Sequence, residues 1–246
     1  MKKRFYIAIG FSAIIVLVFG LWHVHHAAAP EVNRISTTSK TVPKPTTEQS
    51  TFNKAQYSTT DPASIWVIVN KQHPLQPKGY APSDLVSVGN GQYMRAEAAS
   101  ALTTMLAAAK TTGYTVTPAS GYRSYTTQVS VYNNEVKDYG LATADSESAR
   151  ASYSEHQTGL AMDLASGGCS ITDCFGTTPG GEWIITNAYK YGFLLRYPAD
   201  KTAITGYRAE AWHFRYIGVK LATELHKDHI ETLEEFFGVN GGAVYN

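Results

Sequence analysis

Ser154-Glu155-His156-Gln157-Thr158-Gly159-Leu160-Ala161-Met162-Asp163-Leu164 is the stretch from which the rest of this chain is read. It sets an imidazole and a carboxylate on either side of Gly159, which permits a sharp loop before a strand-like run from Leu160 to Ala165. Further on, Glu210-Ala211-Trp212-His213 brings a second carboxylate and a second imidazole, three positions apart. Two His and one Asp can hold a zinc ion with one coordination position left for water, and a spare Glu can then handle protons. His156, Asp163 and His213 are therefore the candidate ligands and Glu210 the candidate base. Taken singly, each has a plainer reading: a lone buried His is more often hydrogen-bonded structure, and Asp163 suits a turn. Only the joint occurrence of two long motifs in one stretch of chain points to a metal hydrolase.

The totals narrow the field. At 246 residues, with 43% hydrophobic and 17% charged residues, the chain holds one substantial domain plus extras. A formal net charge of +1 leaves no basic footprint for nucleic acid. Sixteen tyrosines in a chain with few charges suit half-buried packing with a wet hydroxyl, or a site for polar, sugar- or peptide-like ligands. Cys169 and Cys174, five positions apart, have no second Cys or His pair nearby, so a disulfide closing a small loop in an extracellular setting is expected.

Lys2, Lys3 and Arg4 precede an apolar run from Phe5 to Trp22. At about 1.5 Å per residue as a helix, that run nearly crosses a hydrocarbon core. Residues 1–29 are read as an uncleaved single-pass membrane anchor with the rest of the chain outside, the basic residues staying cytoplasmic. Secretion after cleavage at Ala27-Ala28-Ala29 is the alternative, disfavoured because Pro30 follows. His23, His25 and His26 read as an interfacial collar. From residue 30 to 61, Ser, Thr, Pro, Lys and Gln dominate, the composition of a flexible stalk. The folded domain is expected over 62–246.

Within it, Ile65–Val69 is expected as a short strand, 70–82 as loop, and Arg95–Lys110 as a helix. Tyr114–Pro118 should be a strand, followed by a helix capped by Ser124 and running to Tyr139 with Val129, Tyr132, Val136 and Tyr139 on one face. Short helical structure over 145–151, a Gly- and Cys-containing loop over 166–181, and a helix over 182–191 come next. Strands are expected at Phe193–Tyr197 and Tyr207–Tyr216, then one helix from Ile217 to Phe237. Helices and strands do not alternate regularly, which gives an α+β class with a mainly antiparallel sheet flanked by helices.

Ser120-Gly121-Tyr122-Arg123-Ser124, the 154–163 stretch and Ile204-Thr205-Gly206-Tyr207-Arg208-Ala209-Glu210-Ala211-Trp212-His213-Phe214-Arg215-Tyr216 together resemble, in order, the signatures of the VanY-like D-alanyl-D-alanine carboxypeptidases. That family includes L,D-carboxypeptidases of the LdcB type. The resemblance covers about Trp66 to Phe237 and implies the Hedgehog/DD-peptidase-like fold. It implies one zinc ion on His156, Asp163 and His213, with Glu210 acting first as base and then as acid. Arg123 would stabilise the oxyanion or the substrate carboxylate, since a guanidinium stays charged and donates in a fork. Ser154 and Gln128 are candidate donors to the peptide, and Trp212 is expected beside the metal ligands and, secondarily, against substrate. The implied substrate is a peptidoglycan stem peptide cut to release its terminal D-alanine. L,D-cleavage of tetrapeptide stems, cross-link endopeptidase activity and a non-catalytic wall-binding module are the rivals. The Gly167–Cys174 insert, just after the Asp ligand, is expected at the pocket mouth.

Overall fold

Two adjoining strands, β1 (Leu85–Gly89) and β2 (Gln92–Arg95), fold back on each other through Gly89-Asn90-Gly91 as an antiparallel hairpin. The structure, a computed structural model, describes residues 52–246. The anchor or signal read over 1–29 and the stalk up to residue 51 lie outside the described residues. The hairpin itself went unanticipated, although Asn-Gly between β-prone residues is a strong turn signal. It braces both upstream motifs: Tyr93 O accepts from Tyr122 N at 2.8 Å, and Arg95 N donates to Gly159 O at 2.9 Å.

The chain continues through α1 (Ala96–Thr111), β3 (Val116–Ser120), α2 (Tyr125–Tyr139) and α3 (Leu141–Glu147). After a 3₁₀ turn at Glu155–Thr158 come β4 (Ala161–Ser166), the two-residue β5 (Cys169–Ser170), α4 (Pro179–Asn187) and β6 (Phe193–Tyr197). A one-turn α5 (Thr202–Thr205), β7 (Glu210–Tyr216), α6 (Val219–Asp228) and α7 (Leu233–Phe237) complete it. The main sheet runs β3-β4-β7-β6, with β5 added to β4, and every pairing is antiparallel. This is the expected α+β architecture.

Strand alternation then divides the sheet into two chemistries. Met162, Leu164, Trp212 and Phe214 join Leu102 and Met105 of α1 and Ile184 of α4 in the main apolar core. Their neighbours in sequence, Asp163, His213 and Arg215, are also buried, but polar. A second apolar cluster gathers Trp66 and Ile68 with Leu221 and Leu225 of α6 and Leu233 and Phe236 of α7.

Five expectations change. Ile65–Val69 is buried but forms no strand. Its carbonyls are satisfied by a side chain instead of a neighbouring strand, Arg215 Nη2 donating to Ile65 O at 3.1 Å and Val67 O at 2.8 Å. Only half of the expected apolar face of α2 is covered: Tyr132 and Val136 are half-buried, Val129 and Tyr139 are exposed, and Gln128 is the buried residue of that helix. Ser124 does cap it, accepting from Thr127 N. The expected C-terminal helix is two, α6 and α7, divided at His229 with φ +56°. Finally, the folded unit begins earlier than residue 62, since Phe52 and Tyr57 pack their rings on Trp66. The short helix expected over 145–151 lies instead at α3.

Cys169 and Cys174 are bonded, with Cα atoms 5.7 Å apart. So short a loop constrains the unfolded chain by about 2 kcal/mol on an entropic estimate. Cys169→Ser with Cys174→Ser is expected to lower stability by no more than that, as a shift in the urea midpoint at unchanged m-value.

Candidate active site

A sharp local turn sets the first candidate ligand. His156 lies on the 3₁₀ turn that Gly159 ends in the left-handed conformation, φ +69°. The imidazole Nδ1 lies 2.8 Å from Gly121 O. A carbonyl only accepts, so Nδ1 carries the proton and Nε2 is left with its lone pair toward Asp163 Oδ2, 3.3 Å away. Arg123 N donates in return to His156 O at 3.2 Å, which ties the two motif loops together. Gly121 is glycine for a packing reason: a Cβ there would stand 2.5 Å from Tyr93 O and 2.8 Å from Met162 Cε.

Asp163 and His213 are direct cross-strand partners on β4 and β7. Residues directly opposite in an antiparallel pair bring their side chains together, and His213 Nδ1 lies 3.0 Å from Asp163 Oδ1. Glu210 poses a different problem, because residues three apart on a regular strand face opposite sides. Here β7 departs from regularity. Leu195 pairs with Phe214 but Tyr197 pairs with Glu210, so β7 carries two surplus residues against β6. That irregularity returns Glu210 to the side of His213, its Oε2 3.7 Å from Nδ1.

One donor atom each from His156, Asp163 and His213 lies within 4.8 Å of the others, and all three residues are buried. Asp163 Oδ1 is buried with no hydrogen-bond partner, as is Arg123 Nε across the pocket. A buried carboxylate oxygen without a donor calls for a cation or a ligand group. Neutral imidazole lone pairs and one carboxylate are a zinc donor set, so the residues fit the ion.

Electrostatics separate the carboxylates. Burial lifts the Glu210 carboxyl to about 7, with Asp163 adding to the rise. Asp163 is also buried, but His156, His213 and Arg123 around it hold it below its ordinary value. Burial and the Arg123 guanidinium push His156 down to about 3. For His213 burial acts downward too, yet the Asp163 and Glu155 carboxylates lift it to about 9. A divalent cation on Asp163 would lower both Glu210 and His213. Asp163 is thus held anionic, while the Glu210 carboxyl lies near the range in which a carboxyl exchanges protons at neutral pH.

These groups open into a cavity of about 330 Å³. Arg123, Ser154 and Trp212 line it beside Glu210, His156, Asp163 and His213. Gln128 is not on the lining: its Nε2 donates to Ala149 O at 2.6 Å, holding a segment of the pocket wall. Ile171, from the disulfide loop, does reach the lining. Arg208 lies 5.3 Å over the Trp212 ring and 3.3 Å from Asp173 of the same loop.

The profile of the VanY family, described as D-alanyl-D-alanine carboxypeptidase, matches residues 91–219 and so spans all three motifs. The chain belongs to the VanY family. YodJ of Bacillus subtilis strain 168, a protein assigned to the carboxypeptidases, is 46% identical over 188 residues, covering 72% of this chain and 68% of that one. Among solved structures, the LdcB LD-carboxypeptidase superposes with a TM-score of 0.67 at 45% identity over 72% of this chain and 87% of that one. A vancomycin-resistance D,D-pentapeptidase VanY variant in complex with Zn(II) gives 0.61 at 32% identity, covering 70% and 97%. The VanY-family chain is accordingly a metallopeptidase by family, and its fold is that of these enzymes.

Sequence reading missed several parts of this VanY-family site. Tyr197 lines the pocket with its ring 4.9 Å from that of His213. Glu155, Arg196 and Arg215 were given no role either; all three are fully or almost fully buried, and both arginines donate to the Glu155 carboxylate. A signal was present: Arg196 stands between Phe193-Leu194-Leu195 and Tyr197, and Arg215 between Phe214 and Tyr216, among large apolar and aromatic residues where a charge requires a buried partner.

Proposed function

We propose that this chain is a zinc carboxypeptidase that hydrolyses the bond before the C-terminal D-alanine of peptidoglycan stem peptides. The observation that carries it is the placement of Glu210: close to His213 at 3.7 Å, on the pocket, yet outside the three-donor cluster. A purely structural metal site has no use for a proton-exchanging carboxylate at that position. His156 and His213 bind through lone pairs whose direction the second ring nitrogen fixes, and Asp163 supplies the anionic donor. A bound zinc ion supplies Lewis-acid polarisation and activates water at neutral pH. Glu210 takes a proton from the attacking water and passes it to the leaving amine of D-alanine, so one water is consumed per bond cut. Arg123, its Nε free of protein partners, donates to the developing oxyanion or to the terminal carboxylate. Trp212 and Ser154 form the adjacent wall.

A second reading, L,D-cleavage of tetrapeptide stems, is favoured by the higher identity to LdcB, 45% against 32% to the VanY structure. Both reactions release D-alanine and differ in the residue left behind. The test is incubation of the protein, with zinc and with chelator, on defined penta- and tetrapeptide stems, with products identified by mass. Zinc-dependent D-alanine release from the pentapeptide supports D,D-specificity; release from the tetrapeptide alone transfers the assignment to L,D. No release from either, with zinc bound, leaves the endopeptidase or wall-binding readings.

The disulfide loop bears on this choice, since Ile171 lines the pocket. Reduction, or the double Cys→Ser change, is expected to alter the ratio of rates on the two stems; an unchanged ratio in folded protein rejects the loop as a selectivity element. We further propose that residues 1–29 hold the enzyme at the outer face of the cell membrane, with the following stalk allowing it to sample wall substrate. Among the described residues no helix is long and apolar enough to cross a membrane, and the proposed anchor lies outside them.

A further inference from the structure

Glu155, next to the first ligand in sequence, points away from it. Its carboxylate is fully buried and receives three donors: Oε1 accepts from Arg196 Nε and Arg215 Nη1, both at 2.8 Å, and Oε2 lies 3.4 Å from His213 Nε2. We propose that Glu155 is the positioning residue of His213, holding the ring in the Nε2–H tautomer with Nδ1 turned to the metal. The proposal rests on the zinc assignment above and names a residue that the assignment does not need.

A carboxylate can only accept, and His213 faces one on either side: Asp163 Oδ1 lies 3.0 Å from Nδ1 and Glu155 Oε2 lies 3.4 Å from Nε2. A metal ion shared by Nδ1 and Asp163 would claim the Nδ1 lone pair, which leaves Nε2 as the nitrogen that keeps its proton and donates to Glu155. Glu210 Oε2, 3.7 Å away, is on the same Nδ1 side. His156 receives the complementary arrangement, its Nδ1 held by a backbone carbonyl and its Nε2 free. The two imidazoles therefore face the cluster through different nitrogens, and only His213 has a carboxylate behind it. Such a partner fixes ring orientation and strengthens the imidazole as a donor.

Glu155 is itself immobilised. Arg196 spends its other two nitrogens on Glu234 of α7, at 2.9 and 2.7 Å, and Glu234 accepts from Asn70 Nδ2 at 2.9 Å. Arg215 is held by the carbonyls of Ile65, Val67 and Tyr216. Two carboxylates and two guanidiniums cancel in charge, so the ion pairs need no counter-charge from His213. Three donors on one carboxylate prevent its rotation away from the ring.

The test uses the full chain, zinc affinity measured by competition with a chromophoric chelator, and ¹⁵N NMR of ring-labelled histidines. In the zinc-loaded wild type, His213 is expected to show a protonated Nε2 and a metallated Nδ1; the reverse pattern overturns the proposal without needing any variant. Glu155→Gln is expected to weaken zinc binding about 10–100-fold. Glu234→Gln breaks the far arm of the same network without touching His213, and should lose stability while keeping near-wild-type zinc affinity. Equal loss of affinity in both variants, or wild-type affinity in a folded Glu155→Gln protein, overturns the positioning role. Absence of zinc binding by the wild type has a different meaning: the metal assignment fails, and this inference falls with it.

Discussion

Glu210→Gln is expected to lower kcat for D-alanine release by about 10²–10⁴-fold, the usual contribution of a positioned general base, while zinc affinity stays close to that of the wild type. The amide preserves the side-chain shape but cannot accept and return a proton. Because Glu210 is outside the three-donor cluster, its replacement leaves the ligands intact. The pH profile supplies an independent reading. Burial lifts this carboxyl to about 7 in the chain alone, and a cation on Asp163 lowers it. Since the base works deprotonated, wild-type kcat/KM should fall as pH drops through the acid limb, which should lie below pH ~7. Residual activity of the variant should lack that limb. Loss of zinc together with activity would instead make Glu210 a ligand.

Arg196→Met is expected to produce the largest loss of stability among single changes away from the pocket lining, about 3–5 kcal/mol, read from urea midpoints at neutral pH. Arg196 is fully buried and bridges Glu155 to Glu234. Its removal leaves two carboxylates in a dry interior with Arg215 alone to compensate. The pH dependence has a definite sign. Burial opposes ionisation of Glu155, but Arg196 and Arg215 more than offset it and hold its carboxyl below the ordinary range. A carboxyl depressed in the folded state contributes stability above its unfolded pKa, and that contribution is lost as pH falls toward the folded value. Removing Arg196 raises the folded value, so the stability gap between wild type and variant should narrow as pH falls through the variant's raised value toward the depressed wild-type one. A gap that widens on acidification would show that Glu155 is not the group being stabilised.

His156, Asp163, His213 and Glu210 were legible as candidates because their residue types are those of metal and proton chemistry, whereas Arg123 was singled out only through the family resemblance. Helix α1 and strands β4 and β6 were legible for a different reason, their apolar periodicity. The failures share a cause. Ile65–Val69 has the composition of a strand, yet Arg215 takes the carbonyls that a neighbouring strand would have taken. Helix α2 has apolar residues at helical spacing, yet it buries Gln128, whose amide secures the pocket wall at Ala149. In both cases a contact with a distant segment decided a local outcome.

By itself the sequence determined the chemistry on offer: two imidazoles and two carboxylates in motifs of metal-hydrolase type, and an α+β chain in which to set them. What it could not determine was how these groups meet. Cross-strand register puts Asp163 opposite His213, and the irregularity in β7 turns Glu210 back to the same side. The buried Glu155–Arg196–Glu234 relay, whose members lie up to 79 positions apart in sequence, holds the ring of His213 from behind. Residue type is a local property and is written in the chain; register, bulges and buried ion pairs are relations between distant segments, and only the packed tertiary structure decides them.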